Sequence, residues 1–371
     1  MLYFCNQTLT KMYDQIRQDT LFIILYSVVT AMAAMASCYL LFRQGNAFAK
    51  DVTPPARLRR WAAVFLAAFA LSHVWYMPIF FLTSSEDIRL CDLIGGLLDS
   101  MTVFPLIIVV LFAMLQDRRR PLWPIAVMFA PIAVGNAFNF ITRSYAFLPI
   151  AYIYFLLMCM GLIIYMVREV RRYGRWLRDN YADLEHKEVW QSFLIQTVIL
   201  LTLGFYVFGL GWPAYEYVVQ ACDIFLVCYL LWRVETLSDL SISEPLPSPV
   251  EEETITTQAT YEYIAPLLQQ YCIDTHLYLQ HDLTLLQLAK TIGTNRFYLS
   301  QYFSNQGTTY NAYINDLRVN YFIILYREAV DARRSFTAQQ LAKESGFRNY
   351  NTFNNAFKRK MDLSVTAWMK Q

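Results

Sequence analysis

Leu288-Ala289-Lys290-Thr291-Ile292-Gly293 is the first of two copies of a motif that decides the fold of the C-terminal third of this chain. The second copy begins 53 positions later and reads Leu341-Ala342-Lys343-Glu344-Ser345-Gly346. In each copy the glycine can take the positive φ of a sharp turn, and the alanine four residues earlier lets two crossed helices approach closely. The motif therefore predicts two helix-turn-helix units.

The residues after each glycine predict the second helix of each unit. Leu299 and Phe303 are four residues apart in the first unit, and Phe353 and Phe357 repeat this spacing in the second. Such spacing gives a short amphipathic helix with one apolar face against a core and one polar face outside. A duplicated DNA-binding domain is the strongest prediction that the sequence supports.

The composition indicates a membrane protein. The 371 residues are 56% hydrophobic and only 16% charged, which is too apolar for an ordinary cytosolic regulator. The excess lies in the first two thirds, where several stretches could span a bilayer core of about 30 Å as helices. The seven predicted spans are residues 21–42, 61–82, 97–115, 122–141, 147–167, 190–210 and 214–232. Hydropathy alone allows six or seven, because Asp99 and Pro105 interrupt the third.

Basic residues in the connections favour seven spans, because loops rich in Lys and Arg stay in the cytoplasm. The first, third and fifth connections are rich in them, whereas the second has only Arg89, the fourth only Arg143 and the sixth none. This asymmetry predicts an N-terminus outside the cell and a cytoplasmic C-terminus, as a DNA-reading tail requires. The fifth connection, residues 168–189, is predicted to continue the fifth span as a basic helix at the membrane face. It is either a transmitter of signals or only a determinant of topology.

Three segments follow from these patterns. Residues 1–237 are the predicted transmembrane domain, and residues 259–371 are the predicted DNA-binding domain. Between them, residues 238–258 contain Pro245, Pro247 and Pro249 followed by three consecutive glutamates. This composition predicts a flexible, self-repelling linker, which serves either as a solvated spacer or in regulation or dimer formation.

The last 110 or so residues resemble the DNA-binding domain of the AraC/XylS family of bacterial transcription regulators. The resemblance rests on features in register: Asp282-Leu283-Thr284-Leu285 at the entry to the first unit, Gly293 and Gly346, Gly307 followed by Tyr313-Ile314-Asn315-Asp316-Leu317-Arg318, and Phe347, Phe353 and Phe357-Lys358. It implies double-stranded DNA and RNA polymerase as partners and a bacterial inner membrane as the location. The chain departs from the family pattern after the second recognition helix, where Asp362 and Val365 stand in place of Gly and Pro.

A long connecting helix is predicted between the two units. A helix from Thr309 to about Ala329 has ~20 residues and would be about 30 Å long. This length nearly matches one turn of B-DNA, so the two recognition helices can enter successive major grooves about 34 Å apart. The apolar residues expected to pack the connector against both units are Tyr313, Leu317, Phe322 and Leu325.

Residue chemistry and family position indicate the DNA contacts. Gln and Asn can bond adenine in a bidentate manner, and Arg can take guanine or phosphate. The predicted base-contacting residues are Arg296, Phe297, Ser300 and Gln301 in the first unit and Tyr350, Asn351 and Asn355 in the second. The predicted phosphate-contacting residues are Arg348, Lys358, Arg359 and Lys360. Residues 259–371 hold twelve Lys and Arg against eight Asp and Glu, a modest net charge of +4.

Polar groups inside the predicted spans are candidates for a ligand site, because such groups are costly in lipid and face a bundle interior. They are His73, Asp99, Asn136, Asn139 and Asp223. His73 with Asp223 would form a buried pair or a ligand-binding group. The alternative is interhelical hydrogen bonding that only specifies packing.

Metal, cofactor and catalytic motifs are absent from the sequence. The seven cysteines and four histidines are dispersed, and no nucleotide loop or hydrolase motif occurs. Cys5 and Cys91 would both face outside in the predicted topology, where they could form a disulfide. No metal, cofactor or enzymatic activity is therefore predicted.

These observations predict an all-α membrane-bound one-component transcription regulator. A seven-helix sensor bundle would control a cytoplasmic double helix-turn-helix. The other expected partners are membrane lipids, an unidentified small-molecule or membrane signal, and a second copy of the chain. One alternative is a membrane transporter or intramembrane enzyme with a regulatory tail, and another is proteolytic release of the tail near residues 241–257.

Overall fold

A computed structural model describes residues 18–43, 46–49, 52–144, 146–206, 213–240 and 257–370. The chain divides into two compact units. The first comprises Met1–Val170 and Val189–Pro245, and the second comprises Arg171–Glu188 and Leu246–Gln371. The described residues contain helices and no β-strand, with one isolated bridge between Tyr181 and Thr284. The predicted all-α class is therefore confirmed for the described part of the chain.

The first unit is built from long apolar helices. They are α1 (Thr20–Phe42), α2 (Ala56–Tyr76) with a 3-10 turn at Met77–Phe80, α3 (Ser85–Met101), α4 (Val103–Met114), α5 (Trp123–Thr142), the start of α6 (Leu148–Asn180), α7 (Trp190–Tyr206) and α8 (Pro213–Thr236). Helix α1 packs against α2 and α8, α2 against α4, and α3 against α5.

Large apolar side chains lie on the outer surface of this unit. Phe81 is 78% exposed, Ile141 76% and Trp123 68%. Polar side chains point inward instead: the Ser37 hydroxyl donates to the Ala63 carbonyl at 2.8 Å and is buried. Apolar side chains outside and a hydrogen-bonded polar group such as Ser37 inside are features that a lipid environment favours.

Among the described residues, six helical stretches have the length and hydropathy of membrane spans. They are Thr20–Phe42, Ala56–Phe80, Ser85–Met114, Trp123–Thr142, Pro149–Asn180 and Ala214–Thr236. The predicted sixth span, residues 190–210, overlaps α7, which has 17 residues against the roughly 20 that a spanning helix needs. Residues 207–212 lie outside the described part of the chain.

The third span begins twelve residues before the predicted start at Leu97, so that boundary was wrong. Ser84 caps α3 by accepting from the Asp87 amide, and Glu86 and Asp87 in the first turn favour a helix N-terminus there. The span is interrupted at Thr102 between α3 and α4. Arg89 and Cys91 consequently lie in a helix and not in the second connection.

The second unit consists of shorter helices. They are α9 (Thr257–Leu268), followed by a π-helical turn at Gln269–Ile273 and a 3-10 turn at Leu277–Leu279, then α10 (Leu285–Thr291), α11 (Arg296–Asn305), α12 (Tyr310–Asp331), α13 (Ala338–Glu344), α14 (Tyr350–Met361) and α15 (Val365–Trp368). Helices α10 and α11 form the first helix-turn-helix, and α13 and α14 form the second.

Two hydrophobic cores share the connector α12. Tyr313 and Leu317 pack against the first core, which contains Leu288, Leu299 and Phe303. The other half of the connector packs against the second core through Phe322, Ile323, Leu325 and Tyr326. The predicted packing of the connector is confirmed, and its 22 residues correspond to about 33 Å.

The final turn accommodates the departure from the family pattern. Asp362 ends α14 in the left-handed conformation with φ +55°, where the family has glycine. Ser364 then caps α15, and Trp368 packs on Tyr326 and Phe357 with ring centroids 5.0 and 5.5 Å apart. The last helix therefore closes the second core.

The predicted continuation of the fifth span as a helix is confirmed as far as Asn180. The residues after it are non-helical over 181–188, with a turn at 185–187. They contact the end of α6 and the helix-turn-helix part of the second unit.

Candidate nucleic-acid interface

Side-chain caps fix where each helix of the two units begins. The Thr284 hydroxyl accepts from the Gln287 amide and the Gln287 side chain accepts from the Thr284 amide, which is a capping box at the start of α10. Thr337 caps α13 in the second unit by accepting from the Gln340 amide.

The recognition helices α11 and α14 are both capped by asparagine. Asn295 accepts from the Tyr298 amide at 2.9 Å, and Asn349 accepts from the Asn351 amide at 2.6 Å. These two side chains therefore set the start of the helices that are expected to enter the major groove.

The two turn glycines have different surroundings. Gly293 has φ +75° and open space where a Cβ would stand. Gly346 has φ +91°, and a Cβ there would lie 2.9 Å from both Cα and O of Leu279 and 3.2 Å from Nε of Arg318. The second turn therefore requires glycine for its conformation and for its close packing.

The predicted base-contacting residues of the first helix-turn-helix lie at the start and along one side of α11. Phe297 is 67% exposed, whereas Leu299 and Phe303 on the opposite face are buried. Arg296, Ser300 and Gln301 are half-buried. Burial lowers the pKa of Arg296 from its ordinary value, and the guanidinium stays cationic at neutral pH.

In the second helix-turn-helix, Asn351 and Asn355 are exposed on the same side of α14. Tyr350 is half-buried, and its ring lies 5.6 Å from that of Phe353 at the edge of the second core. Tyr350 therefore packs against the core as well as standing at the start of the recognition helix.

Three of the four predicted phosphate-contacting cations already have protein partners. Arg348 donates to Asp282 at 3.0 Å, Arg359 donates to Asp316 at 3.1 Å, and Lys360 donates to the Asp316 carbonyl at 2.8 Å. Burial lowers the pKa of Lys360. Lys358 is exposed. A DNA phosphate must therefore compete with a carboxylate for Arg348 and Arg359 and with a backbone carbonyl for Lys360.

The Asp282 carboxylate lies between two cations. Lys187 Nζ is 3.0 Å from one oxygen, and Arg348 donates to the other at the same distance. Burial raises the pKa of Asp282, but Lys187 and then Arg348 overcome this effect and hold the pKa below its ordinary range. The carboxylate is therefore ionised throughout the physiological pH range and restrains Arg348.

Asp282→Asn is expected to strengthen DNA binding about two- to fivefold, because a freed Arg348 can neutralise a phosphate and one repulsive charge is removed. Asparagine tolerates the left-handed conformation of Asp282, which has φ +56°. The measurement is a titration of the full-length protein with DNA at several salt concentrations. Asp274→Asn, at an exposed position, makes the same charge change and should have little effect. Equal effects of the two variants would show that net charge alone is responsible.

One buried residue at the centre of this unit was not predicted as functional. Arg318 is fully buried on α12 and donates to the carbonyls of Tyr278 and Gln280 at 2.8 Å each. Its guanidinium also lies 3.1 Å from Asp183 and 5.7 Å from the centre of the Phe347 ring. The sequence signal was an arginine on the apolar side of an amphipathic helix, but its partner is 135 positions away.

Among the long apolar helices α1 to α8, the structure brings together two of the predicted ligand-site residues. His73 Nε2 on α2 lies 3.7 Å from Asp223 Oδ2 on α8, and both side chains are buried. The Tyr26 ring lies 4.7 Å from that of His73, and its hydroxyl donates to the His73 carbonyl at 2.7 Å. Gln220, also buried on α8, interacts with the His73 side chain.

The other three predicted residues make separate contacts. Asp99 accepts from the Ser72 hydroxyl at 2.8 Å, next to His73 in sequence. Asn136 donates to the Gly96 carbonyl at 3.1 Å, and Asn139 accepts from the Phe147 amide at 3.0 Å. Asn136 therefore joins α5 to α3, and Asn139 joins α5 to the turn that follows it.

Two further predictions concern cysteines and metals. Cys5 lies outside the described residues, so its pairing with Cys91 stays a prediction. The Cys91 thiol donates to the Trp75 carbonyl at 3.4 Å. Among the described residues, no group of three or more His, Cys, Asp or Glu side chains could hold a metal ion.

Comparison with known proteins identifies the class of the C-terminal part. Residues 288–371 match the family model described as a helix-turn-helix domain, which begins at the first motif and covers both units. The match supports a DNA-binding transcription regulator with a C-terminal domain of the AraC/XylS type. No curated protein and no solved structure matches the chain. The apolar helices of the first unit suggest insertion into a membrane.

Proposed function

We propose that this protein is a membrane-bound one-component transcription regulator. Sequence-specific DNA binding by the cytoplasmic double helix-turn-helix is controlled by the apolar helices, which sense a small-molecule or membrane signal. The observation that carries the proposal is the occurrence, in one chain, of a paired helix-turn-helix domain and six span-length apolar helices.

The length of the connector α12 supports contact of the two recognition helices with two adjacent major grooves. A connector of about 33 Å joins two recognition units, and successive major grooves on one face of B-DNA are about 34 Å apart. Exposed Phe297, Asn351 and Asn355 at these units offer apolar contact to thymine methyl groups and amide contacts to adenine. Each helix-turn-helix would then contact one part of a single operator site.

The polar cluster of His73, Asp223 and Tyr26 supports a sensing role for the first unit. Gln220 on α8 adds a buried polar side chain that interacts with His73. Buried polar groups in a membrane-spanning bundle are costly and need partners, so a ligand that bonds to His73, Asp223 or Gln220 would stabilise one packing of the helices. A signal would thereby change how DNA-binding domains are presented, and pairing two copies would raise occupancy through effective concentration.

The location follows from the same features. An AraC-type domain that reads DNA must face the bacterial cytoplasm, so we place the protein in the inner membrane with its N-terminus outside. Seven spans satisfy this orientation and the distribution of basic residues, with α7 as the sixth span.

Gln301→Ala combined with Asn351→Ala is expected to abolish discrete DNA binding in the cell. Each bidentate base contact contributes about 1–3 kcal/mol, so the loss of both should reduce site occupancy by more than about 30-fold. The measurement is genome-wide crosslinking and immunoprecipitation of the full-length protein, with its membrane location verified.

A control for this experiment removes equivalent amides elsewhere. Asn320 and Gln339 are exposed and lie outside the recognition helices, so Asn320→Ala with Gln339→Ala should keep the peaks. Absence of enriched sites with the unsubstituted protein would contradict the proposed function.

A further inference from the structure

The residues between α6 and α7 form part of the DNA-binding unit. Residues 181–188, hereafter the docking segment, make an isolated antiparallel bridge from Tyr181 to Thr284. The Ala182 amide donates to the Leu283 carbonyl at 3.3 Å, and Ala182 is fully buried in the first hydrophobic core. The segment therefore lies against the entry to the first helix-turn-helix.

Two buried asparagines of the connector hold the backbone of this segment. Asn311 donates to the carbonyls of Ala182 and Tyr181, and Asn315 donates to the Ala182 carbonyl at 3.4 Å. Both asparagines are buried on α12. Buried amides need partners, and at these positions the docking segment provides them.

Asp183 gives the strongest contact. Its side chain is 3% exposed and that of Arg318 is 0% exposed, and the two are 3.1 Å apart. The second Asp183 oxygen accepts from the Asp282 amide at 3.0 Å. An arginine buried without its carboxylate would be strongly destabilising, so the DNA-binding domain in this structure is complete only with the docking segment in place.

The far end of the segment reaches the second recognition unit. Glu185 accepts from Asn349, the residue that caps α14, at 2.9 Å. Lys187 contacts Asp282, whose other oxygen binds Arg348. A displacement of the segment would therefore change groups at the start of α14 directly.

We infer that the docking segment is a second, non-covalent attachment of the DNA-binding domain, and that it holds the domain to the end of α6 independently of the linker. Helix α6 is continuous from Leu148 to Asn180, and the segment follows it without an intervening residue. The route from the membrane helices to the recognition helices then passes through Asp183 and Glu185.

The test is to cut the linker of the full-length protein in native membranes. A recognition sequence for a site-specific protease is inserted after Pro249, membranes are isolated and cleaved, and the C-terminal fragment is followed by immunoblot after centrifugation. A wash in about 1 M salt, where the Debye length is about 3 Å, removes attraction between surface charges and lipids but not a buried ion pair. We expect the fragment to stay with the membranes.

Substitutions at the contacts between the docking segment and the domain distinguish this attachment from other ways in which the fragment could stay with the membrane. Asp183→Asn should lower the membrane-to-supernatant ratio of the cut fragment more than about tenfold, because it leaves Arg318 buried without its counter-ion. Asn311→Ala, in a helix that favours alanine, should lower the ratio without preventing folding. Asp179→Asn, just before the segment, is the matched control and should retain the fragment.

Two results would overturn the inference. One is release of the fragment from the unsubstituted protein in high salt. The other is full retention in both Asp183→Asn and Asn311→Ala. DNA binding by the uncut protein is measured separately, so failure of the attachment is distinguishable from failure of the proposed function.

Discussion

Asp183→Asn is expected to destabilise the DNA-binding unit by about 3–5 kcal/mol, the usual cost of leaving one partner of a buried ion pair alone. Arg318 would keep its bonds to the carbonyls of Tyr278 and Gln280, but its charge would have no carboxylate. Asp183 lies in the connection between α6 and α7, 135 positions before Arg318 in the chain. A substitution between two of the apolar helices should therefore lower the stability of the DNA-binding domain.

The measurement is a brief protease pulse at increasing urea concentrations on the full-length protein in detergent, with a C-terminal tag reporting the surviving fragment. Asp183→Asn should shift the urea midpoint to lower concentration, and Asp179→Asn should not. The double variant Asp183→Asn with Arg318→Met removes both charges, so its loss of stability should be smaller than the sum of the two single losses. Additive losses would show that the two side chains do not interact.

The repeated motif made the double helix-turn-helix predictable, because its glycines and apolar spacings are local in sequence. Thr284, Asn295 and Thr337 cap the helices that follow them. Tyr313, Leu317, Phe322 and Leu325 lie on the connector where periodicity placed them. Local preference and global packing agree at these positions, which is why sequence alone sufficed.

The contacts that sequence could not predict join distant segments. Basic residues in the fifth connection were interpreted through their charge, yet the connection meets the domain through Ala182, Asp183 and Glu185. Neither periodicity nor charge pattern relates position 183 to position 318. The start of the third span was wrong for a different reason, since the prediction counted only the apolar run from residue 97, whereas the cap at Ser84 fixes the beginning of the helix.

The structure shows which predicted contact residues are exposed and which already have protein partners. Asn351, Asn355 and Phe297 are exposed as a reading surface requires. Arg348, Arg359 and Lys360 are held by acidic residues or a carbonyl, so they are restrained before DNA arrives. With a net domain charge of only +4, this restraint makes affinity depend on which partners the cations release.

Gly346→Ala is expected to destabilise the second helix-turn-helix by more than about 3 kcal/mol and to abolish DNA binding. A left-handed conformation costs a residue with a Cβ about 1–2 kcal/mol, and Gly346 has φ +91°. The added Cβ would also lie 2.9 Å from the backbone of Leu279 and 3.2 Å from Nε of Arg318. Backbone atoms cannot rotate away as a side chain can, so the turn and the 3-10 segment at Leu277–Leu279 must separate.

Gly293→Ala is the matched comparison, because it changes the equivalent glycine of the first unit. Gly293 has φ +75°, and a Cβ added there would have no described atom within 4 Å, so only the conformational cost of about 1–2 kcal/mol applies. The same urea and protease measurement should rank Gly346→Ala well below Gly293→Ala in stability, and DNA titration should show loss of binding only in the former. Equal destabilisation would mean that the contact with Leu279 relaxes freely, and that the second turn is not anchored on the segment preceding the first unit.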